Sequence, residues 1–459
     1  MIVTELLAPA GTLKNMRYAL AYGADAVYAG QPRYSLRVRN NDFNMENFAK
    51  GINEAHALGK QFFVASNVMP HNRKIDTYMA DMEPVIDMGP DALIMADPGL
   101  IMMVRERWPE MPVHLSVQAN TVNYAAVKFW QSVGVKRVIL SRELSIEEIT
   151  EIRQQCPEME LEVFVHGALC IAYSGRCLLS GYFNHRDPNQ GACTNACRWD
   201  YKVSPGEETD TGDIQKAQSQ SQNDCCSDQK STLGTRNEAA DGLYVLEERT
   251  REGEVMPIME DEHGTYIMNS KDLRAIRHIQ KLVEVGVDSF KIEGRTKSYY
   301  YAARVSQIYR QAIDDAVAGR EFNPELFFAL DGLANRGYTE GFYERHPTQD
   351  YQNYMQNSSH SSEQQFVGDI VEYDADSKRA TIEVKNRFEV GDTVQLLTTG
   401  GNEDVVIGEM WDLYNTPRDD APGSGHVVKI ILDKDPGPMA MIARYLNRGA
   451  DSASRVNIG

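Results

Sequence analysis

Eight short apolar segments alternate with helix-like segments along most of this chain, and no other feature constrains its fold as strongly. The segments are TELLA from Thr4, DAVYAG from Asp25, QFFVASN from Gln61, DALIMAD from Asp91, VHLSVQAN from Val113, KRVILSRE from Lys136, LEVFVHG from Leu161 and VDSFKIEG from Val287. Because they are nearly continuously apolar, they are typical of parallel strands buried on both faces. The stretches between them, such as MENFAKGINEAHALG, have helical spacing and several close on a C-cap glycine.

This order predicts an α/β protein with a TIM-like (β/α)8 barrel over residues 1–345. An open, doubly wound parallel sheet is the alternative, although no G-x-G-x-x-G sequence opens a unit. The alternation breaks after the seventh segment, where an insertion of about residues 168–268 contains a Ser-, Gln- and Asp-rich tract at about 205–240. Such a composition buries little apolar surface, so we expect this tract to lack regular structure.

The pattern changes again after a hydrophilic linker at residues 346–362. Residues 363–459 contain short segments of alternating polarity, separated by Gly, Asp and Asn turns; they are QFVGDIVEYD, RATIEVKN, DTVQLLT, DVVIGEMW and HVVKIILD. Alternation with a period of two is the pattern of half-buried antiparallel strands. We therefore expect a small C-terminal antiparallel β-barrel domain.

Four cysteines lie close together in the insertion, with the spacing C-x6-C-x15-C-x3-C; they are Cys170, Cys177, Cys193 and Cys197. Four thiolates suit either a structural zinc ion or an iron–sulfur cluster. The long spacings and the absence of paired C-x2-C sequences favour a [4Fe-4S] cluster, while zinc and four unrelated thiols remain alternatives.

The start of the sequence, MIVTELLAPAG, has neither the basic nor the long apolar region of a signal peptide. We therefore expect a cytoplasmic location, where structural disulfides are rare, and this favours metal ligation by the cysteines. No apolar run approaches the roughly 20 residues of a membrane span, so we expect no membrane partner.

The formal net charge of −19 argues at first against a nucleic-acid partner, whose phosphates attract Lys and Arg. Residues 206–262, however, contain fifteen Asp and Glu against five Lys and Arg, so much of the excess lies in the insertion. Basic residues recur between Lys271 and Lys297, as they do on many solvated helix faces. The charge of the chain therefore leaves RNA binding open.

Three long strings, HGALCIAYSGRCLLSGYFNHRDPNQGACTNACRW, EDEHGTYIMNSKDLRAI and KIEGRTKSYYYAARV, resemble the collagenase-like peptidase family of unassigned mechanism and, within it, a tRNA-modifying branch. The resemblance extends over nearly the whole chain. It implies prephenate-dependent, oxygen-independent 5-hydroxylation of the wobble uridine, with the tRNA anticodon loop and prephenate as partners. It also implies a [4Fe-4S] cluster, delivered by iron–sulfur assembly machinery and held by Cys170, Cys177, Cys193 and Cys197. The pair Cys225–Cys226 is an alternative source of the fourth ligand.

Prephenate carries two carboxylates, so we expect cations at the barrel mouth. Arg295 and Arg142 follow the eighth and sixth strands and are the candidates, although either could instead pair structurally with Glu293 or Glu143. Glu293 is included with Arg295 among the candidate catalytic residues.

Three further polar residues end predicted strands. His166 precedes the first cysteine by four residues and is a candidate for proton transfer or for a hydrogen bond to cluster sulfur, or else a buried core histidine. Asn67 and Gln118 are candidates for reading the uracil edge, although amides at strand ends also cap helices.

Two other functions remain open on the sequence alone. One is a tRNA-binding or scaffold subunit in which the cluster is structural. The other is a peptidase, but the chain has no H-E-x-x-H sequence, and AYSGR lacks the first glycine of a nucleophile elbow. The sequence therefore favours a modifying enzyme.

Overall fold

The structure is a computed structural model of the whole chain. It describes residues 4–35, 42–68, 70, 72–168, 272–295, 297–333, 337–344 and 364–446, and between 172 and 267 the backbone of seven short strands.

Eight parallel strands form a closed barrel, which confirms the predicted fold. They are β1 (Glu5–Pro9), β2 (Ala26–Gly30), β3 (Gln61–Ser66), β4 (Ala92–Met95), β5 (Val113–Leu115), β6 (Arg137–Ile139), β7 (Glu160–Ala168) and, after the insertion, β16 (Ser289–Ile292). Each strand from β1 to β7 pairs with the next, and β16 pairs with both β7 and β1. All eight predicted segments are therefore barrel strands, and the open-sheet alternative is wrong.

Helices cover the outside of the barrel. They are α1 (Leu13–Ala21), α2 (Met45–Ala57), α3 (Asn72–Asp87), α4 (Pro98–Arg107), α5 (Tyr124–Ser132), α6 (Ile146–Gln155), α7 (Ile279–Val285), α8 (Tyr299–Val317) and α9 (Pro324–Asp331). Several begin at a side chain that accepts a hydrogen bond from the first turn, as Thr12 does for α1 and Ser145 for α6. Gly286 closes α7 at a φ of 88°, which favours glycine. Among the described helices, none is long and apolar enough to cross a membrane.

Eight further strands lie between β7 and β16, in the insertion and just after it. They are β8 (Ala172–Tyr173), β9 (Arg176–Cys177), β10 (Tyr201–Glu208), β11 (Ile214–Lys216), β12 (Tyr244–Glu248), β13 (Val255–Asp261), β14 (Gly264–Ile267) and β15 (Asp272–Arg274). Strands β10 to β14 form one antiparallel sheet, so strands occupy the beginning of the tract for which no structure was predicted. Strand β15 runs antiparallel to the end of β7 and pairs in turn with β17 (Tyr338–Thr339).

The C-terminal strands form an antiparallel sheet, as the alternating pattern predicted. They are β18 (Gln364–Asp374), β19 (Arg379–Val384), β20 (Phe388–Glu389), β21 (Thr393–Thr398), β22 (Gly401–Val406), β23 (Met410–Asp412), β24 (Pro417–Arg418), β25 (Asp420–Ala421), β26 (Val427–Ile431) and β27 (Met441–Tyr445). The main sheet has the order β22-β21-β27-β18-β19-β26-β23-β24, and β20 pairs with β25. The predicted segment DVVIGEMW is divided between β22 and β23.

The C-terminal sheet packs against α1 and α8 of the barrel through β18, β21 and β27. The Tyr22 hydroxyl donates to the carbonyl oxygens of Leu397 and Met439, at 3.1 and 3.0 Å. The rings of Tyr300 and Phe366 stack with centroids 4.7 Å apart. Buried side chains of β21 and β27 join the apolar core of the barrel, so the two domains share a packed interface.

Candidate functional site

An arginine and a carboxylate meet where β6 and β16 end. The Arg142 Nη2 atom lies 3.3 Å from the Glu293 Oε2 atom, and both side chains are largely buried. The Arg142 guanidinium also lies 3.9 Å from the centre of the Phe164 ring, within the range of a cation–π contact. The structure therefore brings together two residues that the sequence analysis named separately. The sequence suggested that an arginine could pair with Glu293, and in the structure that arginine is Arg142.

Arg295 lies on the neighbouring side of the barrel mouth. Its side chain is buried and its Cζ atom is 6.0 Å from the centre of the Tyr28 ring. The space beside it exists because Gly30 has no side chain: a Cβ atom at that position would lie 2.2 Å from Arg295 Nη1 and 2.5 Å from Ser35 Oγ. A glycine at the end of β2 thus leaves room for the guanidinium.

Lys291, which the sequence analysis did not select, links these two arginines. Its ammonium lies 4.4 Å from the centre of the Tyr28 ring and 5.6 Å from that of Phe164. Lys291, Glu293 and Arg295 alternate in the sequence KIEGR, and this period of two could have identified Lys291 as a third member of the same face. Three cations therefore surround two aromatic rings at the carboxyl end of the barrel.

A buried ionic network that includes Lys291 joins side chains of β1, β6, β7 and β16 inside the barrel. The Lys291 ammonium donates to Glu162 Oε1 at 2.7 Å, and Arg137 contacts Glu162 at 3.2 Å and Glu5 at 2.7 Å. Burial lowers the pKa of Lys291 and raises that of Glu5, while the surrounding carboxylates raise the pKa of Arg137 against its burial. In this network the Glu162 carboxylate offsets the burial of the Lys291 ammonium.

The two predicted amides also come together, through a residue that was not predicted. Asn67 Nδ2 lies 3.5 Å from Ser116 Oγ, and Ser116 Oγ donates to Gln118 Oε1 at 3.3 Å. These residues follow β3 and β5, at the same end of the barrel as Arg142 and Arg295. The group offers the amide and hydroxyl donors and acceptors that can recognise the edge of a base.

His166 is turned away from the barrel interior. The pairing of β7 with β16 shifts register, so that Phe164 faces Lys291 but His166 faces Ile292. The extra residue in β7 directs His166 outward, as a β-bulge does. Its ring, 1% exposed, contacts Tyr301, Tyr309 and Tyr338, and its Nδ1 atom lies 3.3 Å from the Tyr309 hydroxyl. This geometry favours the alternative of a buried core histidine over proton transfer at the mouth.

Burial, with smaller contributions from Arg274 and Lys297, lowers the pKa of His166 to about 3. The folded chain therefore holds this ring neutral, whereas the unfolded chain protonates it below a pKa of about 6.5. The free energy of unfolding is therefore unaffected by this ring above pH 6.5. It decreases as the pH falls from 6.5 towards 3, by up to about 1.4 kcal/mol per pH unit. We expect His166→Gln to have a shallower decline in unfolding free energy over this range.

Urea unfolding at pH 7.0, 6.0 and 5.0 measures this difference. The control is His426→Gln, which replaces an exposed histidine and should follow the wild-type slope. Equal slopes for His166→Gln and the wild type would contradict the assignment of a buried neutral ring.

Three of the four predicted metal ligands, Cys170, Cys193 and Cys197, lie outside the described residues, as do Cys225 and Cys226. The backbone of Cys177 lies in β9, where Cys177 pairs with Ala172 of β8. Thiolates are suitable donors for a cluster, so the residue types of the predicted donor set fit the group, which stays a prediction.

The closed barrel places this chain among the (β/α)8-barrel proteins, whose functional sites lie at the carboxyl ends of the strands. The cations, amides and aromatic rings described above lie at that end. The model of peptidase family U32 matches residues 11–353, and that of the peptidase family U32 C-terminal domain matches residues 362–444. The chain therefore belongs to peptidase family U32, which confirms the family resemblance drawn from its motifs.

Three relatives are similar over nearly their full length. The tRNA hydroxylation protein P of Escherichia coli strain K12 is 59% identical over 435 residues, which cover 95% of each chain. That of Haemophilus influenzae is 57% identical and covers 94% of each chain. The tRNA hydroxylation protein P1 of Bacillus subtilis is 34% identical over 96% of this chain and 94% of its own.

Proposed function

We propose that this chain is a tRNA-modifying enzyme that hydroxylates C5 of the wobble uridine and uses prephenate as a co-substrate. The names and the near full-length similarity of its relatives support tRNA hydroxylation. The observation that carries the prephenate proposal is the convergence of Arg142, Lys291 and Arg295 around the rings of Tyr28 and Phe164. A small dicarboxylate with an unsaturated ring matches a site of cations and aromatic faces.

The target base must leave its stack before its C5 atom can be reached. An anticodon loop presents unpaired bases, which is how most sequence-specific RNA recognition operates. Asn67, Ser116 and Gln118 offer hydrogen bonds to the uracil edge on one side of the mouth, while Arg142 and Arg295 would bind the carboxylates of prephenate on the other. Binding both molecules at one mouth would orient them for reaction.

The proposal includes a [4Fe-4S] cluster held by Cys170, Cys177, Cys193 and Cys197. When bound, such a cluster would supply one-electron redox chemistry, with a potential set by its surroundings. Strand β7 ends at Ala168, two positions before Cys170 in the sequence, so the cluster would lie at the mouth where the substrates bind.

Mass spectrometry of tRNA nucleosides tests the function. In a bacterial host that lacks its own tRNA hydroxylation protein, we expect the wild-type chain to restore 5-hydroxyuridine and Cys193→Ala to leave it absent. Cys156→Ala is the matched control, since this thiol is buried at the end of α6 and should be dispensable. No 5-hydroxyuridine from a folded, expressed wild-type chain would overturn the proposal.

Purified protein separates catalyst from scaffold and tests the cofactor. Anaerobically prepared chain should contain about four iron and four sulfide per molecule and should form 5-hydroxyuridine in tRNA when given prephenate. Formation in cells but not with the purified chain would favour the scaffold alternative. Stoichiometric zinc without iron would overturn the cluster.

A further inference from the structure

The hairpin of β23 and β24, with the adjoining strands β19 and β26, carries a group of exposed and partly exposed aromatic, apolar and basic side chains that the barrel site does not use. We call it the hairpin surface; it consists of Arg379, Trp411, Leu413, Tyr414 and Lys429. Tyr414 is 89% exposed and Leu413 is 52% exposed, both at the tip of the hairpin. Arg379 stacks on the Trp411 ring at 4.0 Å, which extends the flat surface.

The hairpin tip is ordered by its own hydrogen bonds. Asp412 Oδ1 accepts from the backbone nitrogens of Tyr414 and Thr416, at 2.8 and 2.9 Å. Asn415 has a φ of 61°, in the left-handed region that asparagine tolerates. The tip therefore fixes the backbone that carries Tyr414, so binding there costs little further backbone entropy.

The two cations of the hairpin surface converge on one neutral acceptor. Arg379 Nη1 and Lys429 Nζ lie 3.1 and 3.3 Å from Asn415 Oδ1. Within the described part of the chain, no carboxylate lies within 4 Å of either cation. The Arg379 guanidinium contributes to the lowered pKa of Asp374, but this carboxylate is engaged by Ser377 in the adjoining turn. Both cations are therefore positioned to bind an anion.

Stacking faces combined with cations fit a nucleic acid, because bases stack on aromatic rings and phosphates bind Lys and Arg. The hairpin surface also lies away from the barrel contact. The strands that touch the barrel include β18, and β19 and β26 separate β18 from β23, which at the spacing of paired strands is about 14 Å. The hairpin tip with Tyr414 therefore lies outside the contact between the two domains, where a bound RNA can reach it.

We propose that the hairpin surface binds substrate tRNA outside the anticodon stem-loop, with an unpaired base on Tyr414 and phosphates at Arg379 and Lys429. This inference rests on the proposed function, and it assigns the C-terminal domain a role in substrate recognition. The barrel mouth performs the reaction, and the hairpin surface increases affinity for the whole tRNA.

The test compares full-length tRNA with an isolated anticodon stem-loop, by equilibrium binding and by 5-hydroxyuridine formation. We expect Tyr414→Ala to weaken binding of full-length tRNA about tenfold, as loss of one stacked base does. Arg379→Gln with Lys429→Gln should lower the slope of log affinity against log salt by about two. Neither variant should alter binding or hydroxylation of the stem-loop.

Val406→Ala is the matched control, because Val406 is 63% exposed on β22, at the opposite edge of the same sheet. Wild-type affinity of all the hairpin variants for full-length tRNA would overturn the inference and leave the surface to a protein partner. Equal losses for the stem-loop would overturn the placement outside the anticodon arm. If the wild-type chain neither binds nor modifies tRNA, the proposed function itself fails.

Discussion

Replacing Glu162 by alanine should lower the free energy of unfolding by about 3–5 kcal/mol, the largest stability change that we expect from any single substitution here. Glu162 is fully buried, and its carboxylate accepts from Lys291 at 2.7 Å and Arg137 at 3.2 Å. Its removal leaves the buried Lys291 ammonium without the carboxylate that offsets its desolvation. Urea unfolding followed by circular dichroism measures the change.

Two controls identify the buried charge as the cause. Glu160→Ala removes a carboxylate that is 28% exposed and also pairs with Arg137, and we expect it to cost about 1 kcal/mol or less. Glu162→Met combined with Lys291→Met removes both charges and should recover much of the lost stability. A loss below 1 kcal/mol for Glu162→Ala would contradict the network.

Gly30→Ala should reduce kcat/KM for the proposed hydroxylation by about a hundredfold while the chain remains folded. The new Cβ atom would occupy the position of the Arg295 guanidinium, 2.2 Å from its Nη1 atom, so Arg295 must move. A displacement of about 1 Å at a substrate-positioning group is enough for a loss of this size. Rates at varied prephenate concentrations, with tRNA saturating, measure the effect.

A double variant that combines Gly30→Ala with Arg295→Lys tests whether displacement of Arg295 causes the loss of kcat/KM. Lysine has no atom at the Nη1 position, so in this background the new Cβ atom clashes only with the Ser35 side chain, and Gly30→Ala should cause a smaller loss than it does in the wild type. Gly408→Ala, at a position with open space around it, should leave kcat/KM unchanged. Full activity of Gly30→Ala would show that Arg295 does not position a substrate.

The barrel could be predicted from sequence because each strand is a local pattern, an apolar segment that follows a helix and a turn. The elements that were missed have no such pattern. Strand β15 is only three residues long and pairs with the end of β7 across the insertion, and β27 is defined by its neighbours β18 and β21.

The candidate site was predictable to the extent that its residues end strands. Arg142, Glu293, Asn67 and Gln118 all lie at the carboxyl edge, yet the contacts that assemble the site join distant residues, as Arg142 and Glu293 do across 151 positions and Asn67 and Ser116 across 49. The outward direction of His166 depends on a register shift between strands that no single segment encodes.

The closure of the barrel by β16 has a consequence for synthesis of the chain. The partners of β16 are β1 and β7, but about 120 residues separate the end of β7 from the start of β16. At about 5–20 residues per second, a ribosome needs roughly 6–24 seconds to make this stretch. During this time the edges of β1 and β7 are unpaired. The nascent chain is therefore most prone to aggregation or chaperone binding in this interval.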